Sequence, residues 1–202
     1  MSEERERVLV NAGCGPAEGG KLPAYFDGWR QMRVDSDAGV SPDILADLTD
    51  LSPIADASAD AVWASHCVEH LYEHQIPKAL AEFRRVLRDD GFACIIVPDL
   101  QALGSYLTED RLHEALYRSP AGPVSAHDMI FGFGAAIAGG RTSMAHRSGF
   151  TPGTLQRCFR EQPFAEVLLR RRGAQMELVA LARASAAADD AARVGLMNAL
   201  GL

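Results

Sequence analysis

Val8-Leu9-Val10-Asn11-Ala12-Gly13-Cys14-Gly15 carries the clearest indication of the fold in this sequence. Its aliphatic and β-branched residues are followed at once by glycines, which predicts a buried strand entering a tight turn. Glycine lets the backbone approach a ligand closely, and in α/β folds the turn after the first strand is a place where nucleotide-like cofactors bind. Gly-x-Gly alone also suits an ordinary tight turn, so the downstream spacing decides between the two interpretations.

Further strands and a helix follow this turn at regular intervals. The second strand is predicted over Gln31–Val34, the third over Asp43–Leu48, the fourth over Asp60–Ala64 and the fifth over Phe92–Val97. Between the last two, Ile76, Leu80, Phe83 and Leu87 repeat at helical spacing, which predicts a helix over 76–87. Asp89-Asp90-Gly91 follows, and Gly91 is expected to end this helix in the left-handed conformation.

Residues 99–147 interrupt the alternation of strands and helices. About 50 residues without a strand pattern are too many for a plain loop, so a helical insertion is predicted here. Helices are expected near Leu100–Leu107 and Arg111–Tyr117, before a glycine-rich stretch over Gly132–Gly140. Because it follows strand five at the edge of the expected cleft, this insertion is the predicted substrate cover.

The end of the chain returns to regular structure. A helix is predicted over Pro152–Arg160 with Thr151 as its cap, and two strands over Ala165–Arg170 and Met176–Ala182. These two strands have no helix between them, which predicts an antiparallel hairpin at the edge of the sheet. Residues 184–202 are rich in alanine and are expected to form a C-terminal helical tail, docked on the core or, as a second option, mediating dimerisation.

These elements predict an α/β fold: a Rossmann-like, mostly parallel sheet with flanking helices and an antiparallel C-terminal edge hairpin. Two acidic residues support a cofactor site in it. Asp35 follows Gly15 by 20 residues at the end of the second strand, where a carboxylate can accept hydrogen bonds from a ribose diol. Asp47, after the third strand, could meet a purine edge.

The motifs around these residues resemble those of class I S-adenosylmethionine-dependent methyltransferases. Residues 8–15 resemble their first motif, Asp35 their acidic ribose ligand, and Asp47-Leu48 their adenine-side motif. The stretches 60–71 and 83–91 resemble the fourth-strand motif and the turn before strand five. The pairing of this start with His146-Arg147-Ser148-Gly149-Phe150 resembles a group of predicted methyltransferases without an assigned substrate, some of them linked to saccharide pathways.

The resemblance implies S-adenosylmethionine as cofactor, with S-adenosylhomocysteine as its product, and a small-molecule methyl acceptor. It implies cofactor contacts at Asn11, Ala12, Gly13, Cys14, Gly15, Asp35, Ser36, Asp47, Leu48, Ser65 and His66. Two positions depart from the family pattern: Asn11 replaces the usual acid, and Ala17 stands where a third glycine is common. A nucleotide-dependent oxidoreductase would prefer Gly-x-Gly-x-x-Gly, and Glu18 occupies the last position of that motif here.

Composition narrows the class of protein. The chain has 202 residues, 48% of them hydrophobic, and a net charge of -7, which predicts a single domain over 1–202 with no nucleic-acid partner. The resemblance implies that this single domain is a methyltransferase domain. Its four cysteines form no Cys-x-x-Cys pair, and neither a signal core nor a membrane-length apolar run is present. We therefore expect a cytoplasmic protein with free thiols and no membrane association, as a monomer or homodimer.

Histidines carry the remaining chemistry. His70, His127 and His146 are candidate general bases for methyl transfer to an oxygen or nitrogen atom, because imidazole titrates near neutral pH. His66-Cys67-Val68-Glu69-His70 also resembles a metalloprotease signature, and a zinc hydrolase would place His66, His70 and His74 on one helix. Since His66 directly follows a strand, we expect no metal there. A non-catalytic cofactor-binding or regulatory protein of the same fold stays open.

Overall fold

The computed structural model describes residues 5–17, 22–119, 121–187 and 189–201, and a seven-stranded sheet forms its centre. The strands in chain order are β1 Val8–Ala12, β2 Arg30–Asp35, β3 Ile44–Leu45, β4 Ala59–Ser65, β5 Leu87–Pro98, β6 Ala115–Ser119, β7 Gly122–Ser125, β8 Glu166–Arg172 and β9 Glu177–Arg183. The helices are α1 Ile76–Val86, α2 Gly104–Thr108, α3 Ala126–Phe131, α4 Gly134–Ala138, α5 Pro152–Cys158 and α6 Asp190–Ala199.

The large sheet has the order β3-β2-β1-β4-β5-β9-β8. Its first five strands are parallel, β9 runs antiparallel to β5, and β8 runs antiparallel to β9. The Rossmann-like sheet and its antiparallel C-terminal hairpin are thus confirmed. The carboxyl ends of β1, β2, β4 and β5 share one edge of the sheet, and the pair Pro98–Glu177 brings the start of β9 to that edge too.

Apolar side chains cover both faces of the sheet. On one face α1 buries Leu80 and Phe83, and α5 buries Leu155. On the other face, Met197 and Leu200 from the C-terminal segment join the cluster around the sheet. The alternation of strands and helices therefore yields a sheet covered on both sides, as a parallel sheet requires. Thr151 accepts a hydrogen bond from the backbone N–H of Thr154, which confirms it as the cap of α5.

The segment between α1 and β5 differs from its prediction. Helix α1 ends at Val86, and Leu87 is already extended and paired with Ala59 of β4. Gly91 lies inside β5, so its predicted role as a left-handed helix terminator is wrong. Its need is steric instead, since a β-carbon there would lie 3.0 Å from the Asp60 carbonyl oxygen.

Residues 99–147 contain helices, but not only helices. The helix predicted over Arg111–Tyr117 is wrong: β6 and β7 form an antiparallel hairpin there. The segment has a small apolar core of its own, made by Leu103, Val124, Ala126 and Met129. The extended chain still turns its leucines toward this core, so the apolar spacing that resembles a helix is satisfied by a hairpin.

The C-terminal tail docks on the sheet, as expected. Met197 and Leu200 are buried, whereas Val194 is 54% exposed. Within the described residues, no helix is long and apolar enough to cross a membrane. Glu18, used above to argue against an oxidoreductase, lies outside the described residues.

Candidate functional site

The loop after β1 turns sharply at two glycines. Gly13 and Gly15 have φ angles of +64° and +59°, in the left-handed region that favours glycine. Gly13 also lies against Cys67, so closely that a β-carbon on Gly13 would overlap the Cys67 side chain. The loop therefore approaches the turn after β4 backbone-first, which leaves the space above both turns open.

Asp35 fixes this loop to the end of β2. Its Oδ2 accepts a hydrogen bond of 2.9 Å from the Gly15 backbone N–H, and its Oδ1 accepts one of 2.9 Å from the Asp37 N–H. Arg33 adds a bond of 2.7 Å to the Gly15 carbonyl oxygen. Each carboxylate oxygen has two lone pairs, so Asp35 keeps acceptor capacity for hydroxyl groups of a ligand.

A cavity of about 530 Å³ opens at this edge of the sheet. It brings together most of the predicted cofactor residues, namely Gly13, Cys14, Gly15, Asp35, Ser36, Asp47, Leu48 and His66. Its opposite wall comes from 99–147, through residues such as Phe133, Arg141 and Met144. The predicted cofactor residues and the 99–147 segment therefore line the same cleft.

Three predicted cofactor residues do not line this cavity. Asn11 and Ala12 lie in β1, where Asn11 pairs with Arg33 and Trp63 of the neighbouring strands. Ser65 lines a second cavity of about 460 Å³, together with Trp63 and Glu177. Their side chains are thus placed to shape the turn rather than to line the main cavity.

The Asp47 side chain stabilises the turn in which Asp47 itself lies. Its Oδ1 accepts hydrogen bonds of 2.8 Å from the Thr49 backbone N–H and 2.7 Å from the Thr49 hydroxyl. This arrangement is an Asx turn, which orders the chain after β3. Asp47 and Leu48 still line the cavity, so the turn holds both at its wall.

His66 stands on the turn after β4 and not in a helix. Its φ is +53°, which is uncommon for a residue with a side chain and marks a constrained position. Its Nε2 lies 2.8 Å from Glu177 Oε1 and its Nδ1 lies 3.3 Å from Glu69 Oε1. Burial lowers the pKa of His66, but the hydrogen bond to Glu177 and the negative charge of Glu69 outweigh this effect, so the pKa is raised.

The helical zinc site drawn from His66, His70 and His74 is wrong in geometry. Two separate 3-10 turns, Val68–His70 and Glu73–Gln75, follow His66, and His74 stacks on Tyr72 with ring centroids 5.8 Å apart. The three imidazoles therefore do not line one helix face, and both nitrogens of His66 already face carboxylates.

His70 and His146 meet although they are far apart in the chain. Their ring centroids are 4.9 Å apart, and His70 Nδ1 lies 3.2 Å from the Ala145 carbonyl oxygen. His70 lines the cavity, whereas His146 lies behind it with a side chain only 10% exposed. Burial lowers the pKa of His146, despite the nearby Glu69 carboxylate. The two rings together place imidazole nitrogens beside the cavity.

His127 lies away from the other two candidate bases. It lies in the first turn of α3, where its ring stacks on His113 and contacts Phe131 at a tilt, with centroids 5.0 Å apart in each pair. It is not among the described residues that line the cavity. The structure therefore does not bring His127 together with His70 and His146, and its role as a general base stays a prediction.

Two carboxylates emerge only from the structure. Glu69 and Glu177 flank His66, and both are buried. Glu69 stood inside the motif 66–70 without an assigned role. Glu177 carries no local signal, because the antiparallel pairing of β9 with β5 brings it to the site from 111 residues away.

The chain was compared with known proteins. Residues 11–95 match the family model described as "Methyltransferase domain". No curated protein matches the chain.

Solved structures share the fold at low identity. One is a 1,6-didemethyltoxoflavin-N1-methyltransferase of Burkholderia thailandensis with bound 1,6-didemethyltoxoflavin and S-adenosylhomocysteine: 19% identity, 90% of this chain and 72% of that chain covered, TM-score 0.52. Others are S-adenosylmethionine-dependent methyltransferases of Methanosarcina mazei, with 13% identity, 91% and 95% coverage and TM-score 0.57, and of Archaeoglobus fulgidus, with 13%, 88% and 86%, and 0.54.

Proposed function

We propose that the chain is a class I S-adenosylmethionine-dependent methyltransferase that methylates an oxygen or nitrogen atom of a small molecule bound against the 99–147 segment. The observation that carries this proposal is the single cavity shared by the glycine turn, Asp35 and His70. A cofactor surface and a proton acceptor on one cavity wall suit transfer between two bound small molecules.

The residues at the glycine turn fit the cofactor. A β-carbon on Gly13 would overlap Cys67, so the turn keeps its backbone bare where the adenosyl group of the cofactor and the carboxylate of its methionine part would lie. Asp35 is held by two backbone N–H groups and keeps lone pairs for a ribose diol. We assign Ser36, Asp47 and Leu48 to the adenine side of this pocket.

S-adenosylmethionine supplies an electrophilic sulfonium methyl group, and the protein supplies alignment and exclusion of water. We assign proton acceptance to His70. Its Nδ1 faces the Ala145 carbonyl oxygen, which favours the tautomer with the proton on Nδ1 and a lone pair on Nε2. A hydroxyl nucleophile needs such a base, whereas an amine needs only to be in its neutral form.

We propose that 99–147 is the substrate cover. Phe133 and Met144 offer apolar surface to the cavity, while Arg141 and Ser143 offer hydrogen-bond donors. Such a mixture suits a small polar metabolite with an apolar face, and a saccharide or a related polyhydroxylated molecule is the acceptor class we favour.

The test is transfer of a tritiated methyl group from S-adenosylmethionine to a panel of saccharides, hydroxylated aromatics and amines. We expect label in a hydroxylated acceptor, a loss of kcat of about 100-fold or more in His70→Gln, and no change in His74→Gln. Label in no acceptor class, with a folded protein that binds the cofactor, would contradict the proposal and favour a non-catalytic role.

A further inference from the structure

We propose that Glu69, His70 and His146 bind one divalent transition-metal ion in the wall of the cavity. Each of these residues offers one ligand atom, and the three atoms lie within 4.8 Å of one another. Two imidazoles with one carboxylate form a ligand set typical of Zn²⁺ and Fe²⁺ sites that keep a position open.

The separations are somewhat longer than those of a loaded site. Zn²⁺ holds nitrogen and oxygen ligands at about 2.0–2.2 Å, so two ligand atoms at a tetrahedral angle lie about 3.3–3.6 Å apart. His146 Nε2 lies 4.0 Å from Glu69 Oε1, a few tenths of an ångström beyond this range. All three ligand atoms lie within 4.8 Å of one another, so binding requires the side chains to move inward by no more than about 1.5 Å.

Glu69 is the observation that points to a ligand. Its side chain is 1% exposed, and neither carboxylate oxygen has a hydrogen-bond partner among the described residues. His66 Nδ1 lies 3.3 Å from Glu69 Oε1. The two side chains can form an ion pair, but their geometry is not that of a hydrogen bond. A buried carboxylate without hydrogen bonds is costly, and a bound cation would satisfy it.

The His70 imidazole is held by a backbone carbonyl. Its Nδ1 faces the Ala145 carbonyl oxygen at 3.2 Å. In metal sites, a ligating histidine commonly donates its other N–H to such a carbonyl, which fixes the tautomer and the ring plane. The Nε2 of His70 is therefore available for the ion, and His146 presents its Nε2 toward Glu69 at 4.0 Å.

His66 is not part of the ligand set. Its Nε2 pairs with Glu177 and its Nδ1 faces Glu69, so both nitrogens already face a carboxylate. The site thus departs from the zinc helix considered from the sequence: it uses His146, near the end of the 99–147 segment, in place of His66 and His74.

The role of the ion rests on the proposed function, whereas its binding does not. Three protein ligands leave a coordination position, and His70 connects the site to the cavity. An acceptor hydroxyl bound there would lose its proton more readily, because a divalent cation lowers the pKa of a coordinated oxygen. In the loaded enzyme His70 then acts as a ligand, and the ion takes over activation of the acceptor.

The experiment is calorimetric titration of chelator-treated full-length protein with Zn²⁺, followed by Co²⁺ absorption spectra as a report on ligand geometry. We expect one Zn²⁺ per chain and a tetrahedral or five-coordinate Co²⁺ spectrum. His146→Gln and Glu69→Gln should each weaken Zn²⁺ binding by about 100-fold or more, since even an outer-shell change costs 10–100-fold. His74→Gln and His113→Gln are the matched controls and should bind as the wild type does.

Circular dichroism and S-adenosylhomocysteine titration of each variant separate misfolding from ligand loss. If Glu69→Gln does not fold, His146→Gln alone decides the question. The metal site is refuted if the folded wild type binds no Zn²⁺, or if Zn²⁺ binds equally well to His146→Gln. Retained S-adenosylhomocysteine binding in that case would leave the proposed methyl transfer standing.

Discussion

Gly13 and Cys67 touch across two neighbouring strand ends, with no room for a β-carbon on Gly13. The contact sets the separation between the turns that follow β1 and β4, and His66 lies next to it in the second turn. The floor of the cavity is therefore set where the Gly13 backbone packs directly on the Cys67 side chain, which explains why a glycine is needed at this point.

Gly13→Ala should weaken S-adenosylhomocysteine binding more than Gly15→Ala does. Both substitutions place alanine in the left-handed region, at about 1–2 kcal/mol each. Only Gly13→Ala also displaces Cys67, because nothing lies within 4 Å of a β-carbon on Gly15. Calorimetry on both variants checks the order, and equal losses would show that the contact with Cys67 does not shape the pocket.

Gly132→Ala should loosen the loop that carries His146. A β-carbon at Gly132 would overlap the Met144 carbonyl, and Gly132 bridges Ala145. We expect loss of Zn²⁺ binding and faster hydrogen exchange over 142–148, with the large sheet intact. Gly104→Ala, which meets nothing within 4 Å, is the control and should leave both measurements unchanged. An unaltered exchange rate in Gly132→Ala would argue against this bridge.

Asp60 should make the folded state sensitive to acid. Burial opposes its ionisation, but hydrogen bonds from Arg5 (2.9 Å) and the Val8 N–H (2.8 Å) lower its pKa below the usual 3.8. A depressed folded pKa gives stability that is present above the unfolded pKa and lost as pH falls through the folded one.

Asp60→Asn should thus cost about 1–3 kcal/mol at pH 7, and progressively less below pH 3.8. Urea unfolding of the wild type and the variant, at pH 7 and below pH 3.8, measures this difference in the free energy of unfolding. Asp89→Asn, at a fully exposed carboxylate, should stay within about 0.5 kcal/mol. A cost for Asp60→Asn that is independent of pH would show that the carboxylate charge is not what stabilises the fold.

Cys14 should report occupancy of the cavity. It lines the cavity and is partly buried, and burial raises the pKa of its thiol, so alkylation should be slow at neutral pH. S-adenosylhomocysteine at 100 times its Kd should slow it further by up to about 100-fold. Cys158 is also partly buried but does not line the cavity, so its rate should not change. Mass spectrometry of the two sites reads this out, and protection of Cys158 alone would place the ligand elsewhere.

The parts of the fold set by local pattern could be predicted from the sequence. Buried strands ending in Gly13 and Asp35 carry their own signals, because apolar runs and turn residues mark strand ends. The prediction of a helix over Arg111–Tyr117 was wrong because so short a helix depends on tertiary packing for its stability. The leucines of this stretch instead reach the small core of 99–147 from a segment that forms a hairpin.

The candidate site divides in the same way. Gly13, Gly15 and Asp35 are recognisable because each follows a predicted strand. The meeting of His70 with His146 spans 76 positions in the chain and depends on the fold of 99–147, so no local pattern announces it. The prediction of a left-handed Gly91 was wrong because the strand already begins at Leu87, which pairs with Ala59.

Calorimetric titration of the purified full-length protein with S-adenosylmethionine directly tests whether the chain binds this cofactor. NAD is the control ligand, and Asp35→Asn is titrated alongside the wild type. Asp35→Asn keeps the shape of the side chain but removes the charge that holds the glycine turn. We expect micromolar binding of S-adenosylmethionine to the wild type and no binding of NAD. The affinity of Asp35→Asn for S-adenosylmethionine should be lower by about tenfold or more, because a hydrogen bond to a charged group is worth roughly 1.5–3 kcal/mol. A folded, ligand-free wild type that binds no S-adenosylmethionine would contradict this expectation.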